Sequence, residues 1–240
     1  MTQSLLRFLP NTLTLLAVVF GLYAIKLGYD GRFSTAVTLI LIAAILDGLD
    51  GRIARALGSA SPIGAELDSL ADAINFGIAP ALVLYFRGLA DLGALAWGAV
   101  LIYAICAVYR LARFNVGTKS DQLPNQKGAS DFKGIPSPAA AFLVMLPLYI
   151  SFATGNPEFV PPWVSAGFLV LIGFGMIARF RVPAFKSVKI GRNGKRAFII
   201  TLTLFCIGLY FAPWAMLVAA GLIYLTALIW WSIGGAKHET

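Results

Sequence analysis

Charge is scarce in this chain. Only 12% of its 240 residues are Asp, Glu, Lys or Arg, while 59% are hydrophobic. Soluble domains carry about a quarter charged residues. Together with a mean hydropathy of +0.81, this excludes an ordinary soluble domain and points to a polytopic membrane protein. Histidine is nearly absent. The single copy, His238, stands in the C-terminal tail, which excludes chemistry that needs a buried histidine. Cysteine is limited to Cys106 and Cys206, both inside apolar stretches and in no CxxC pair. Neither a zinc site nor a disulfide framework is indicated, and both read as small core hydrophobes. Strand-period alternation is missing, which argues against an outer-membrane barrel. No repeat or low-complexity segment stands out, and the one polar linker of note is 117–134, GTKSDQLPNQKGASDFKG.

What the chain does have is apolar runs of membrane length. A bilayer core needs roughly 20 apolar residues per helix. On that scale eight segments are expected, at about 10–29, 33–57, 65–87, 91–114, 136–154, 161–179, 196–211 and 213–234. The first is as long as a span and no small-x-small cleavage site follows it. It reads as a membrane helix after a short interfacial piece containing Arg7, not as a signal peptide. With the N-terminus in the cytoplasm, all Lys and Arg except Lys26, Arg32 and Arg87 fall on the cytoplasmic side. The positive-inside rule demands such an excess. One helix more or fewer would destroy it, so the asymmetry supports eight spans, both termini cytoplasmic, in an inner or cytoplasmic membrane. The net charge of +8 is therefore mostly topological. The basic loop 179–196, RFRVPAFKSVKIGRNGKR, also suits anionic headgroups. Nucleic-acid binding is not expected, since no soluble domain presents the patch.

Four acids interrupt the apolar pattern. The second segment ends LIAAILDGLDGRIARAL and the third opens SPIGAELDSLADAINFGIAP. Asp47 and Asp50 are three residues apart, and Asp68 and Asp72 four apart, so each pair shares a helix face. Gly58-Ser59-Ala60-Ser61-Pro62 reads as a turn that folds the two helices into a hairpin. Four carboxylates would then converge near the cytoplasmic end of two membrane helices. A charge at membrane depth costs at least ~3 kcal/mol on insertion scales, and like charges nearby repel. A cation must compensate. Oxygen ligands suit hard divalent ions, so one or two Mg²⁺ or Mn²⁺ are expected, Ca²⁺ also being acceptable as a bound ion. Such an ion can clamp a pyrophosphate. Arg55 adds a fork of donors suited to phosphate. Gly51 and Gly64 either let a ligand approach the backbone or merely pack helices. Glu66 lies off the carboxylate face and reads as solvated or headgroup-facing.

Written as a pattern the stretch is D-x2-D-G-x2-A-R-x8-G-x3-D-x3-D, with every fixed position filled from Asp47 to Asp72. It resembles the signature of the CDP-alcohol phosphotransferases. The resemblance implies a six-helix core, here residues 1–180, to which 181–240 adds the basic loop and two further helices. It also implies a homodimer. Asp47, Asp50, Asp68 and Asp72 would hold metal, with Asp72 a ligand or the general base. Gly51, Arg55, Ser61 and Gly64 would meet the CDP end of a lipid donor. Pro10-Asn11-Thr12-Leu13-Thr14 resembles the family's P-N-x-x-T segment, which brings Asn11 and Thr14 to the cytidine. Taken alone that segment is an ordinary helix start.

The signature names the donor and not the acceptor alcohol. Three further segments are similar to those of integral-membrane phosphatidylserine synthases: D-A-I-N-F-G-I-A-P-A after Asp72, Y-R-L-A-R-F-N, and D-F-K-G-I-P-S-P-A-A-A. The resemblance implies transfer of a phosphatidyl group from CDP-diacylglycerol to L-serine, with release of CMP. Asn75, Arg110, Arg113 and Lys133 are the serine-site candidates. The same cations would suit glycerol 3-phosphate, the donor's phosphates or a purely topological role, and choline is another alternative acceptor. A divalent-cation transporter is the competing class, since intramembrane acids mark ion pathways. Against it, the acids cluster at one end and the other helix halves are apolar.

Overall fold

The computed structural model describes residues 8–120, 134–178 and 192–235. Every regular element among them is helical. Helix α1 is Leu9–Tyr29, α2 Phe33–Ala56, α3 Pro62–Asp72, α4 Ala79–Gly88, α5 Ala94–Ser120, α6 Ser137–Val144, α7 Leu146–Thr154, α8 Pro162–Ile177, α9 Arg192–Phe211 and α10 Pro213–Gly235. A π-helical turn, Ala73–Ile78, joins α3 to α4, and a 3₁₀ turn, Leu89–Leu92, follows α4. Among the described residues six runs are long and apolar enough to cross a membrane: Leu9–Tyr29, Phe33–Ala56, Pro62–Leu92, Ala94–Gly117, Ser137–Thr154 and Pro213–Trp231. The shorter apolar α8 and the 20-residue α9 are further helices that lie where the other two segments are expected. The chain is an all-α polytopic membrane protein.

Two expected spans prove to be compound, and proline is the reason in both. Ser61 caps α3 by accepting the Gly64 N–H at 3.0 Å, with Pro62 at the first helical position. The run therefore starts at 62 instead of 65. Further on, Pro80 has no N–H to offer the Phe76 carbonyl one turn back. That carbonyl, deep in the bundle, accepts the Tyr103 hydroxyl at 2.9 Å. The π turn absorbs the mismatch between α3 and α4. The segment expected at 136–154 breaks at Met145, where Pro147 interrupts the ladder between α6 and α7.

Side chains on the outside are largely apolar. Leu15, Val19 and Leu22 on α1, Ile45 on α2, Ile105 and Val108 on α5, and Leu171 and Phe174 on α8 are all exposed. In water this would be an aggregation surface; around a bundle whose backbone groups are satisfied within helices it is a lipid-facing one. The tightly packed centre holds Ala24, Val37, Ile40, Leu84, Tyr103, Leu143 and Met176. Small residues bring helices together, as is usual in membranes. A Cβ on Gly21 would overlap the side chain of buried Asn75, so glycine there lets α1 sit close against the π turn at that point. Helix α10 is peripheral, its apolar stretch being 17% buried against 61% for Ser137–Thr154.

Candidate active site

The hairpin expected between the second and third segments is present. Helix α2 ends at Ala56, the turn through Gly58 takes a positive φ of 58°, and α3 returns from Pro62. Asp47 and Asp50 occupy the last turns of α2, and Asp68 and Asp72 lie on α3. Asp47 lies against Asp72 and faces Asp68 and Asp50; Asp68 faces Asp50 in turn. The four carboxylates therefore share one region, as the spacing implies.

Each acid has a different setting. Asp50 is buried, and the Thr14 hydroxyl of α1 donates to its Oδ2 at 2.5 Å while standing 3.1 Å from the Pro10 carbonyl. Asp68 is exposed and faces Arg55. Asp47 Oδ1 and Asp72 Oδ1 are buried with no hydrogen-bond partner. Arg110 faces Asp72 from α5. None of the four acids forms a close ion pair among the described residues.

Do these residues fit a metal? Among the described residues no three His, Cys, Asp or Glu side chains already surround a common point. The donor chemistry nevertheless fits a hard divalent cation, because Asp47 and Asp72 lie against each other, each with one buried carboxylate oxygen that has no partner, and further carboxylates are adjacent. A buried anionic group with no partner is costly, and a cation would relieve it.

Beside the acids lies a cavity of about 150 Å³. Its lining contains Asn11, Thr14, Gly51, Arg55, Ser61 and Gly64, together with Asp50 and Asp68. All six residues singled out for the nucleotide end of the donor thus meet in one place, although they come from α1, α2 and α3. Ser59, whose buried hydroxyl has no partner, lines it too. Nothing in the spacing distinguishes Ser59 from an ordinary turn residue.

The acceptor candidates are less tightly gathered. Asn75 is fully buried one turn beyond Asp72, and neither its Oδ1 nor its Nδ2 has a partner. Arg110 is buried and donates to the Ser137 hydroxyl at 2.6 Å. Arg113 donates to the Ile177 carbonyl at 3.2 Å, so it fastens the end of α8. Lys133 lies outside the described residues. Ser137, completely buried, was visible in the sequence only as part of P-S-P-A-A-A; its link to α5 needs the tertiary fold. The Ser69 hydroxyl, 3.0 Å from Asn115 Oδ1, similarly ties α3 to α5.

These helices, acids and pocket define a class. The profile of the CDP-alcohol phosphatidyltransferase family matches residues 7–174, and the chain belongs to that family. Curated relatives called CDP-diacylglycerol–serine O-phosphatidyltransferase are similar over most of its length. That of Mycobacterium leprae (strain TN) is 38% identical over 226 residues, covering 92% of this chain and 73% of the relative. That of Helicobacter pylori (strain J99) is 38% identical over 188 residues, covering 77% and 75%. That of Bacillus subtilis (strain 168) is 31% identical over 182 residues, covering 76% and 93%.

Proposed function

We infer that this chain transfers the phosphatidyl group of CDP-diacylglycerol to the hydroxyl of L-serine, giving phosphatidylserine and CMP. The observation that carries the site assignment is the single cavity where Asn11, Thr14, Gly51, Arg55, Ser61 and Gly64 meet Asp50 and Asp68, next to the orphaned oxygens of Asp47 and Asp72. Serine is favoured as acceptor by the names of the relatives, which cover both this chain and themselves broadly.

In this reading the CDP end of the donor lies in the α1–α2–α3 cavity and its acyl chains extend into the bilayer. Thr14 holds the buried Asp50 in place through its 2.5 Å hydrogen bond. Arg55 meets the pyrophosphate with charge-assisted hydrogen bonds. Asp47, Asp50 and Asp68 would hold Mg²⁺ or Mn²⁺, with Asp72 as a further ligand or the base. When bound, the metal neutralises charge on the pyrophosphate. Asp72 takes the proton of the serine hydroxyl, a poor nucleophile without a base. The serine oxygen then forms a bond to the lipid-bound phosphorus as the bond from that phosphorus to the bridging oxygen breaks. CMP leaves with the electron pair. Arg110, which faces Asp72 and is held by Ser137, offers a cation to the serine carboxylate, and Asn75 offers buried polar atoms beside it.

The catalytic core is residues 1–180, and 181–240 contributes the basic loop and the last two helices. The site and both termini face the cytoplasm, in the inner membrane, and the enzyme works as a homodimer. Purified protein given labelled CDP-diacylglycerol should release CMP only with serine and Mg²⁺ or Mn²⁺ present. EDTA should abolish release and either ion restore it. CMP release with glycerol 3-phosphate or choline, but not with serine, would overturn the acceptor assignment.

A further inference from the structure

A second and larger cavity, of about 500 Å³, lies at the other end of the bundle. From Asp72 to Arg87 the helical run climbs 15 residues, about 22 Å at 1.5 Å each. The cavity is framed by the end of α4, the 3₁₀ turn after it, Pro147, Leu148 and Ser151 of α7, the loop between α7 and α8, and the start of α8. None of its lining belongs to the aspartate site. Its volume falls within the range of ligand pockets, roughly 300–1,000 Å³.

Its charges are arranged unusually. Arg87 is half-buried in the wall. One Nη donates to buried Ser151 at 3.3 Å, and the guanidinium carbon stands 5.2 Å from the centre of the Phe33 ring. Its Nε is buried with no partner. Two acids, Asp91 and Glu158, line the same cavity. An arginine at a membrane helix end would ordinarily be neutralised by such neighbours, yet among the described residues neither acid forms an ion pair with it. The cavity thus offers one cation with spare donor capacity and two uncommitted anions. Leu84, Leu148 and Val160 supply apolar wall. Pro147, Pro157, Pro161 and Pro162 fix much of the backbone, so the shape is largely preformed.

We propose that this cavity binds a phosphate–ammonium zwitterion, its phosphate on Arg87 and its ammonium on Asp91 and Glu158. An anion alone would meet two repelling carboxylates, and a cation alone would meet the guanidinium; a group carrying both charges on a short spacer satisfies all three residues. This chemistry occurs in the headgroup of an ethanolamine phospholipid and in its free glycerophosphate ester, and the two sources can be told apart.

The test uses the whole protein in detergent. Binding is read by tryptophan fluorescence, Trp163 standing exposed beside the cavity residue Pro162, and by thermal unfolding. The probes are dihexanoyl phosphatidylethanolamine, glycerophosphoethanolamine, and dihexanoyl phosphatidylglycerol, which lacks the ammonium. The ethanolamine lipid should bind and raise the unfolding temperature, and phosphatidylglycerol should bind at least tenfold more weakly. Arg87→Gln should weaken ethanolamine-lipid binding roughly tenfold to a hundredfold, the usual range for a lost hydrogen bond to a charged group. Asp91→Asn with Glu158→Gln, at exposed positions that carry little folding risk, should erase the preference for ethanolamine over glycerol headgroups. CMP release should be unchanged in the acid variant. If glycerophosphoethanolamine binds as tightly as the lipid, the ligand is the free zwitterion; if only the lipid binds, it is the headgroup. Equal binding of phosphatidylethanolamine and phosphatidylglycerol, or unchanged selectivity in the acid variant, would overturn the proposal.

Discussion

Replacing Thr14 by valine removes one hydroxyl and nearly nothing else, since the two side chains have almost the same shape. The hydroxyl belongs to α1, far in sequence from the aspartates, and donates to Asp50 Oδ2 at 2.5 Å. Asp50 is 3% exposed, so solvent cannot take over the lost role. A hydrogen bond to a charged group is worth about 1.5–3 kcal/mol. The Gly51 N–H also reaches Asp50 and remains in the variant. The cost should therefore sit in the lower half of that range, about 1.5–2 kcal/mol, which is roughly a 10- to 30-fold effect. Because Asp50 lines the nucleotide cavity, the loss should appear in kcat/KM for CDP-diacylglycerol. The KM for serine should not move. The assay is CMP release at varied donor and saturating serine, with Thr14→Ser as the control that keeps the donor. Wild-type kcat/KM in Thr14→Val, within twofold, would refute the view that α1 positions the metal-site acids.

Three more outcomes follow from the same geometry. Asp72→Asn should lower kcat by about 10²–10⁴, the usual contribution of a general base, while CDP-diacylglycerol still binds; normal turnover would remove Asp72 from the base role. Arg110→Gln should raise the KM for serine roughly tenfold or more by loss of a charge-assisted contact, with the donor KM little changed; a shift in the donor KM instead would assign Arg110 to the phosphates. Gly21→Val should lower thermal stability by about 1–3 kcal/mol, a typical overpacking cost, because a side chain there collides with fully buried Asn75; unchanged unfolding in detergent would contradict that packing.

Much of the site was legible because its signals are local. Asp47 with Asp50, and Asp68 with Asp72, declare shared faces through helical period alone, and the Gly58–Pro62 turn declares the hairpin. The apolar runs declare the spans because bilayer thickness imposes a length on each. Compound helices were less legible. Pro80 and Pro147 are visible in the sequence, but whether proline ends a helix or is absorbed depends on what takes the freed carbonyl. At Phe76 the answer is Tyr103, 27 residues away.

Sequence by itself determined the all-α membrane class, the aspartate hairpin and the residue types of a phosphate site, since each rests on hydrophobic length, helical period or residue chemistry. Only the tertiary structure decided which distant groups meet. It brought Asn11 and Thr14 of α1 to the aspartates, and it set Arg110 against Ser137 while Arg113 went to the end of α8. It also gathered Arg87, Asp91 and Glu158 around a second cavity. The physical reason is that helix packing is governed by shape complementarity between faces, as at Gly21 and Asn75, and no spacing along one helix encodes the face that another will present.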